Sequence, residues 1–178
     1  MSYHADLLEQ AIHLAKREPK KPRQASLRRA VSSAYYALFH LLIDEGARSL
    51  SPTGNDPLRQ QIKRAFAHGD MVAVCKGFVA GHKSATLNKQ VSNPPVATRR
   101  LVVFPLNPDL VSVLETFIEL QDARHQADYD LSRQWNRMDV LNHVGAARQA
   151  LKDWQAVRKN PETTVLLAAL LLQKHWLR

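Results

Sequence analysis

Apolar residues recur every three to four positions along most of the chain, which is the spacing of amphipathic helices. In the first such stretch Leu7, Leu8, Ala11 and Ile12 share one helical face. Prolines and glycines fall between many of these stretches, and both residue types are common at helix ends. The pattern predicts helices over residues 3–16, 24–45, 58–67, 71–79, 108–131, 138–159 and 161–176.

Three helix boundaries carry specific signals. Gly46 suits the left-handed backbone position that follows a helix, so it predicts the end of the second helix. Asn107-Pro108 and Asn160-Pro161 each place a capping side chain before a proline at the first helical position. The last helix is apolar on all sides, which predicts that it is buried.

The predicted elements fit one all-α domain over residues 1–178, an up-and-down bundle of four to five main helices. Leucine and alanine outnumber valine and isoleucine, a balance that favours helix over strand. Residues 81–106 break the helical pattern because serine, threonine, asparagine, proline and basic residues dominate them. We therefore expect a long, irregular, exposed insert at about residues 80–106.

The positive charge of the chain is concentrated in its middle third. The formal net charge is +9, and residues 51–105 contribute eight basic against two acidic residues. Residues 106–178 are balanced, with nine of each. Such a surplus favours a polyanionic partner. A solvated basic face with no partner is the alternative.

The single cysteine, Cys75, can form neither an internal disulfide nor a zinc site alone, so we expect a reducing, cytoplasmic location. The N-terminal residues lack the apolar run of a secretory signal. The longest apolar run, residues 165–172, is too short for a membrane helix. The histidine spacings match no metal-binding motif, so we expect neither a metal ion nor a cofactor.

The helix over residues 108–131 carries polar residues where its core-facing stripe continues. Leu110, Leu114 and Phe117 form that stripe, and the same face then reaches Arg124 and Asp128. Side chains four residues apart can meet on a helix. A charged pair on a core-facing stripe either ties helices together or lines a cleft, and the spacing leaves both open.

Two further sets of side chains belong to the same predicted site. His125 and Tyr129 are also four residues apart. On the second helix a polar stripe runs along the side opposite its apolar stripe, through Arg29, Ser33, Tyr36 and His40. We expect Arg124, Asp128 and Tyr129 to face Tyr36 and His40 across a cleft.

Two short segments resemble the HEPN superfamily, especially its small members. SSAYYALFHLL at residues 32–42 resembles the second-helix signature, and ARHQADYDL at residues 123–131 is similar to the later-helix motif. The resemblance implies a helical bundle, often a homodimer, that binds RNA or nucleotides or cleaves RNA without a metal. It also implies a toxin–antitoxin or defence-type system, with a cognate antitoxin or nucleotidyltransferase as partner.

The catalytic signature of that superfamily is an arginine followed four to six residues later by a histidine. Arg124 matches the arginine, but Asp128 or Tyr129 stands where the histidine is expected, and His125 comes too early. Arg137 and His143 have nearly the right separation, but a six-residue step places them about 240° apart on a helix.

Three hypotheses follow. In a binding module, Arg124 grips phosphate and the tyrosines stack on bases, with Asp128, His40 and Arg29 completing the site. In a metal-independent RNase, Arg124 stabilises the charged transition state, while His40, His125 or Tyr129 moves protons. In a structural partner protein, the Arg124–Asp128 pair is an internal tie. The missing histidine ranks the first hypothesis above the second.

The basic insert generates a prediction of its own. Lys83, Lys89, Arg99 and Arg100 are expected to contact the backbone of single-stranded RNA without sequence preference. Replacing all four by serine should reduce the slope of log affinity against log salt by up to about three, at roughly 0.7 per phosphate contact. Titration of labelled RNA across a salt series measures both slopes. Equal slopes would mean that the insert touches no phosphate.

Overall fold

The computed structural model describes residues 2–87 and 101–176, with side chains described as far as residue 172 in the last helix. Within these ranges the chain forms seven helices and no strand, which confirms the predicted all-α class. The helices are α1 (Tyr3–Lys16), α2 (Gln24–Leu50), α3 (Asp56–Arg64), α4 (His68–Thr86), α5 (Pro108–Tyr129), α6 (Arg137–Val157) and α7 (Pro161–Trp176).

Both asparagine–proline signals mark real helix starts. α5 begins at Pro108, and the Asn107 side-chain oxygen accepts a hydrogen bond from the Asp109 backbone N–H at 2.8 Å. α7 begins at Pro161, and the Asn160 carbonyl accepts from the backbone N–H of Thr163 at 3.1 Å. The predicted side-chain cap is thus formed by Asn107, whereas the Asn160 side chain donates to Oε1 of Glu162 at 3.4 Å and only its main-chain carbonyl bonds to the helix.

The predicted end of the second helix at Gly46 is wrong, because α2 continues to Leu50. A Cβ atom on Gly46 would lie 2.6 Å from Cζ of Phe66. The glycine therefore allows an aromatic ring to press against the helix backbone, and it does not end the helix.

α4 is longer than the sequence pattern predicts, running from His68 to Thr86 and not only over residues 71–79. Gly81 is buried under the Phe104 ring, whose nearest atoms lie 2.7 Å from an added Cβ. Residues 80–86 are thus helical, although their composition is typical of a loop. At the other end of the predicted insert, Val102 and Leu106 are buried. Residues 88–100 lie outside the described residues.

The chain divides into two compact units, and α2, α5 and α6 contribute residues to both. The first unit comprises Met1–Leu41 and Thr116–Lys152. The second comprises Leu42–Glu115 and Asp153–Arg178.

In the first unit, α1 and α2 pack antiparallel. The Tyr3 ring lies 4.7 Å from the His40 ring, and Gln10, farther along α1, accepts a hydrogen bond from Ser33 at 3.1 Å. The predicted apolar stripe of α2 is buried, and Tyr35 packs against Phe117 of α5 with ring centroids 5.6 Å apart. Residues with no exposed surface in this core include Leu27, Val31, Ala34, Leu38, Phe117 and Leu120.

In the second unit, α4 packs against α7. The predicted burial of the last helix is confirmed for Leu166, Ala169 and Leu170. Other core residues of this unit are Met71, Val74, Phe78, Leu110 and Trp154.

The glycines of α2 and α6 should respond oppositely to alanine. Nothing lies within 4 Å of a Cβ on the exposed Gly145, so Gly145→Ala should raise the free energy of unfolding by about 0.5–1 kcal/mol through helix propensity. Gly46→Ala gains the same propensity but forces the Phe66 ring to move, and overpacking costs about 1–3 kcal/mol. We expect a net loss of about 1 kcal/mol. Urea denaturation measures both, and an equal gain in both variants would contradict the close packing at Gly46.

Candidate functional site

The charged pair predicted on α5 is formed. Nε of Arg124 lies 2.8 Å from Oδ2 of Asp128, and the two side chains are only 16% and 21% exposed. Nη2 of Arg124 donates a hydrogen bond to the Tyr36 hydroxyl at 3.0 Å. The pair faces the second helix as predicted, but Arg124 contacts Tyr36 directly and not across the expected cleft.

The carboxylate of Asp128 is anchored to α2 as well. The Ser32 hydroxyl lies 2.6 Å from its Oδ1 atom and 3.2 Å from the Arg28 carbonyl. The hydroxyl has one proton, and the shorter bond to the charged acceptor is the stronger of the two. Asp128 is therefore held by a guanidinium on its own helix and a hydroxyl on the neighbouring helix.

The surroundings of Arg124 stabilise its charge. Partial burial by itself lowers the pKa of Arg124, but the effect of Tyr36, Asp128 and Tyr129 is larger, so this pKa lies above its ordinary value. The side chain is a permanent cation at every pH at which the fold is studied.

Aromatic rings from α2 and α5 lie next to this guanidinium. Its central carbon lies 5.6 Å from the Tyr36 ring centroid and 5.7 Å from that of Tyr129. Beyond Tyr129, the His125 ring is 5.0 Å away. On α2, the Tyr36 ring is 6.2 Å from the His40 ring, which contacts Tyr3. We call this continuous row the ridge, and its members in order are Tyr3, His40, Tyr36, Arg124, Tyr129 and His125.

The two ends of the ridge are exposed and its middle is not. Tyr3 is 59% exposed and Tyr129 is 64% exposed. Tyr36 and His40 are half-buried, and His125 is exposed. Aromatic surface that is held by neighbouring rings and left in contact with water is available for stacking.

The polar stripe of α2 does not face one cleft as a whole. Ser33 is buried and bonds to Gln10 of α1, so it fastens two helices together. Tyr36 and His40 belong to the ridge. Arg29 is exposed, closer to the start of α2.

The second candidate arginine–histidine pair, Arg137 and His143, makes contacts that stabilise the fold. Arg137 donates to the backbone carbonyls of Glu18 and Pro19, in the α1–α2 connection. The His143 ring packs against Trp135 at 5.7 Å. Burial, together with the positive charge of Arg133, lowers the pKa of His143. These contacts give Arg137 and His143 separate structural roles.

The predicted basic contacts of the insert are only partly described. Lys83 lies near the end of α4, where its Nζ is 2.7 Å from Oε1 of Glu115. A phosphate would have to compete with that carboxylate. Lys89, Arg99 and Arg100 lie outside the described residues.

Sequence reasoning missed Arg28, whose side chain bonds to the backbone at four positions. Its guanidinium donates to the carbonyls of Gln126, Ala127, Asp130 and Arg133, the last three at 2.7–2.9 Å. These carbonyls lie at and just beyond the end of α5, where helix carbonyls lack partners and carry partial negative charge. In the sequence Arg28 and Arg29 are neighbours, and only the register of α2 distinguishes the one that reaches α5.

The segment after α5 is fixed from α2 as well. The side-chain amide of Gln24 accepts from the Trp135 backbone N–H at 2.9 Å and donates to the Trp135 carbonyl at 2.8 Å. The guanidinium of Arg133 lies 4.1 Å over the Trp135 ring. These contacts fix the position of the end of α5, and with it Tyr129, relative to α2.

Other chemistry is not supported by the described residues. Among them, no group of three or more histidine, cysteine, aspartate or glutamate side chains could hold a metal ion. Burial raises the pKa of the Cys75 thiol far above its ordinary value, so this thiol is not a nucleophile in the folded state. None of the described helices combines the length and the apolarity that crossing a membrane requires.

Fold and site define an all-α protein with an aromatic ridge built around one guanidinium. Searches of protein-family models, of curated proteins and of solved structures find no match to the chain. The HEPN resemblance therefore rests on the two segments that carry it, and those segments supply Ser32, Tyr36, Arg124, Asp128 and Tyr129.

Arg28 and Arg29 form a matched pair for measuring the cap on α5. Arg28→Ala removes a charged donor from four carbonyls and should lower the free energy of unfolding by about 3 kcal/mol. Arg29→Ala removes the same charge from an exposed position and should change it by less than about 0.5 kcal/mol. Urea denaturation measures the free energy of unfolding of both variants. Similar decreases in the two variants would show that the cap on α5 contributes little to stability.

Proposed function

We propose that this chain is an HEPN-like domain that binds single-stranded RNA or nucleotides at the ridge. The observation that carries the proposal is the ridge itself: five rings linked through a fixed guanidinium, with Tyr3 and Tyr129 both exposed. Bases stack on such rings with little sequence preference, because every base has a π-face.

Arg124 supports phosphate binding as well as stacking. Its Nε and Nη2 atoms are engaged by Asp128 and Tyr36. Among the described residues, no hydrogen bond involves Nη1. A planar guanidinium that is oriented by two partners and keeps both N–H groups of Nη1 has donors left for a phosphate oxygen.

The RNase alternative needs a group that moves protons beside Arg124. The nearest histidine on α5, His125, packs against Tyr129, and His40 packs against Tyr3 and Tyr36. Within the described part of the chain, the polar partners of Arg124 and Asp128 are each other and two hydroxyls of α2. Binding therefore ranks above cleavage, and incubating RNA with the protein and a chelator tests the alternative directly.

The third hypothesis assigns the Arg124–Asp128 pair only to structure. The pair does tie α5 to α2, through Ser32 and Tyr36. That tie leaves unexplained the exposed rings on either side of it. The proposal therefore gives the pair two roles: it holds the helices together and presents Tyr129.

The wider setting is part of the same proposal. By its HEPN resemblance, the chain would act in the cytoplasm as a homodimer within a toxin–antitoxin or defence-type system. Its protein partner would be a cognate antitoxin or a nucleotidyltransferase.

Tyr129 provides the sharpest test of the ridge. Tyr129→Ala should weaken binding to a labelled single-stranded RNA of about 12 nucleotides by roughly five- to hundredfold, the value of one stacked base. Tyr129→Phe keeps the ring and should bind nearly as well as the wild type. The control is Leu131→Ala, which removes an 80% exposed side chain outside the ridge and should have no effect. Fluorescence anisotropy measures all four affinities, and unchanged binding by Tyr129→Ala would refute the ridge as the binding site.

A further inference from the structure

The connection between α1 and α2 carries a dense set of exposed cations. We call residues 16–23 the basic connector, and all of its basic side chains are exposed: Lys16, Arg17, Lys20, Lys21 and Arg23. This segment contributes five of the eight basic residues in the first 50 positions. It lies entirely within the first unit, which also contains the ridge.

The only acidic residue of the basic connector is turned inward. Glu18 accepts a hydrogen bond from the Ser26 hydroxyl at 3.0 Å, and its side chain is only 20% exposed. Its sole ion-pair contact among the described residues is a long one, 3.9 Å from Nε of Arg17. The other four cations form no ion pair with any described residue. Their charge therefore remains available to a ligand.

The backbone of the basic connector is held in place. Arg137 of α6 donates to the carbonyls of Glu18 and Pro19, and a second proline, Pro22, fixes the chain just before α2. Several cations carried on a backbone held in one place suit a ligand with repeated negative charges.

The basic connector lies at the opposite end of α1 from Tyr3. α1 has 14 residues, which corresponds to about 20 Å at 1.5 Å per residue. The exposed Arg29 lies on α2 between the basic connector and Tyr36, adding a cation along the same stretch. A mononucleotide cannot reach from the ridge to the basic connector, whereas a strand of several nucleotides can.

We propose that the basic connector binds the phosphodiester backbone of the same single strand whose bases stack on the ridge. The ligand class is then an extended single-stranded RNA several nucleotides long, and not a free nucleotide. This inference rests on the proposed function, since it names the ligand of that site. It also predicts a phosphate contact outside the insert at about residues 80–106, where the sequence pattern predicted such contacts.

The test removes three cations from the basic connector and, separately, three from elsewhere. The first variant carries Lys20→Ser, Lys21→Ser and Arg23→Ser. The matched control removes the same charge at exposed positions of the second unit, with Arg64→Ser, Lys76→Ser and Lys159→Ser. Labelled RNA of about 12 nucleotides, within the range of known single-strand site sizes, is titrated across a salt series. Adenosine monophosphate is titrated in parallel.

We expect the connector variant to lower the salt slope by about two, at roughly 0.7 per contact on single strands, and the control to leave it nearly unchanged. Adenosine monophosphate should bind the wild type and the connector variant equally. Equal slopes for the connector variant and the wild type would overturn the inference. So would equal reductions in both variants, because the effect would then follow net charge alone.

The outcome also separates this inference from the proposed function. If Tyr129→Ala weakens binding while the connector variant keeps the wild-type slope, the ridge binds RNA and the inference fails. If the connector variant lowers the slope while Tyr129→Ala has no effect, the ridge fails and the connector contact stands.

Binding to vesicles of phosphatidylcholine with phosphatidylserine is the third measurement in this test. Binding to them that disappears in the connector variant, with an unchanged RNA slope, would overturn the inference and assign the basic connector to a membrane surface.

Discussion

The register between α2 and α5 depends on one partly buried charge pair. Arg124 and Asp128 continue the apolar stripe of α5 and are largely buried, so each must find polar partners to offset its loss of water. α2 supplies them at two positions one turn apart, the Ser32 hydroxyl and the Tyr36 hydroxyl. Sliding either helix by a turn would break both of these contacts, so the pair favours the observed alignment.

That alignment also fixes the features on which function is proposed to depend. With α2 and α5 in register, Arg28 reaches the carbonyls at the end of α5, and Gln24 reaches the backbone of Trp135. The same alignment sets Arg124 between Tyr36 and Tyr129. The structural role and the proposed binding role therefore share the same atoms. A substitution at Arg124 would change both, which is why Tyr129 and the basic connector are better places to separate them.

Sequence periodicity predicted the helical class, the starts of α5 and α7 and the Arg124–Asp128 contact, because each depends on neighbours close in the chain. The predictions failed where contacts with residues distant in the sequence determine the local structure. Glycine is common at helix ends, but Gly46 lies inside α2, where the missing side chain leaves room for the Phe66 ring. Residues 80–86 have the composition of a loop, but Phe104 covers their glycine. Tyr3 could not be assigned to the ridge before the antiparallel pairing of α1 and α2 was known.

The buried thiol of Cys75 is a natural probe of local opening. It is the only cysteine, it has no exposed surface, and it belongs to the second unit. Alkylating reagents react with thiolates, so Cys75 can be modified only in molecules whose second unit has opened. The rate of modification thus reports the opening of one half of the protein, while the ridge and the basic connector lie in the other. A ligand of the first unit that slows this rate would show that its binding also protects the second unit from opening.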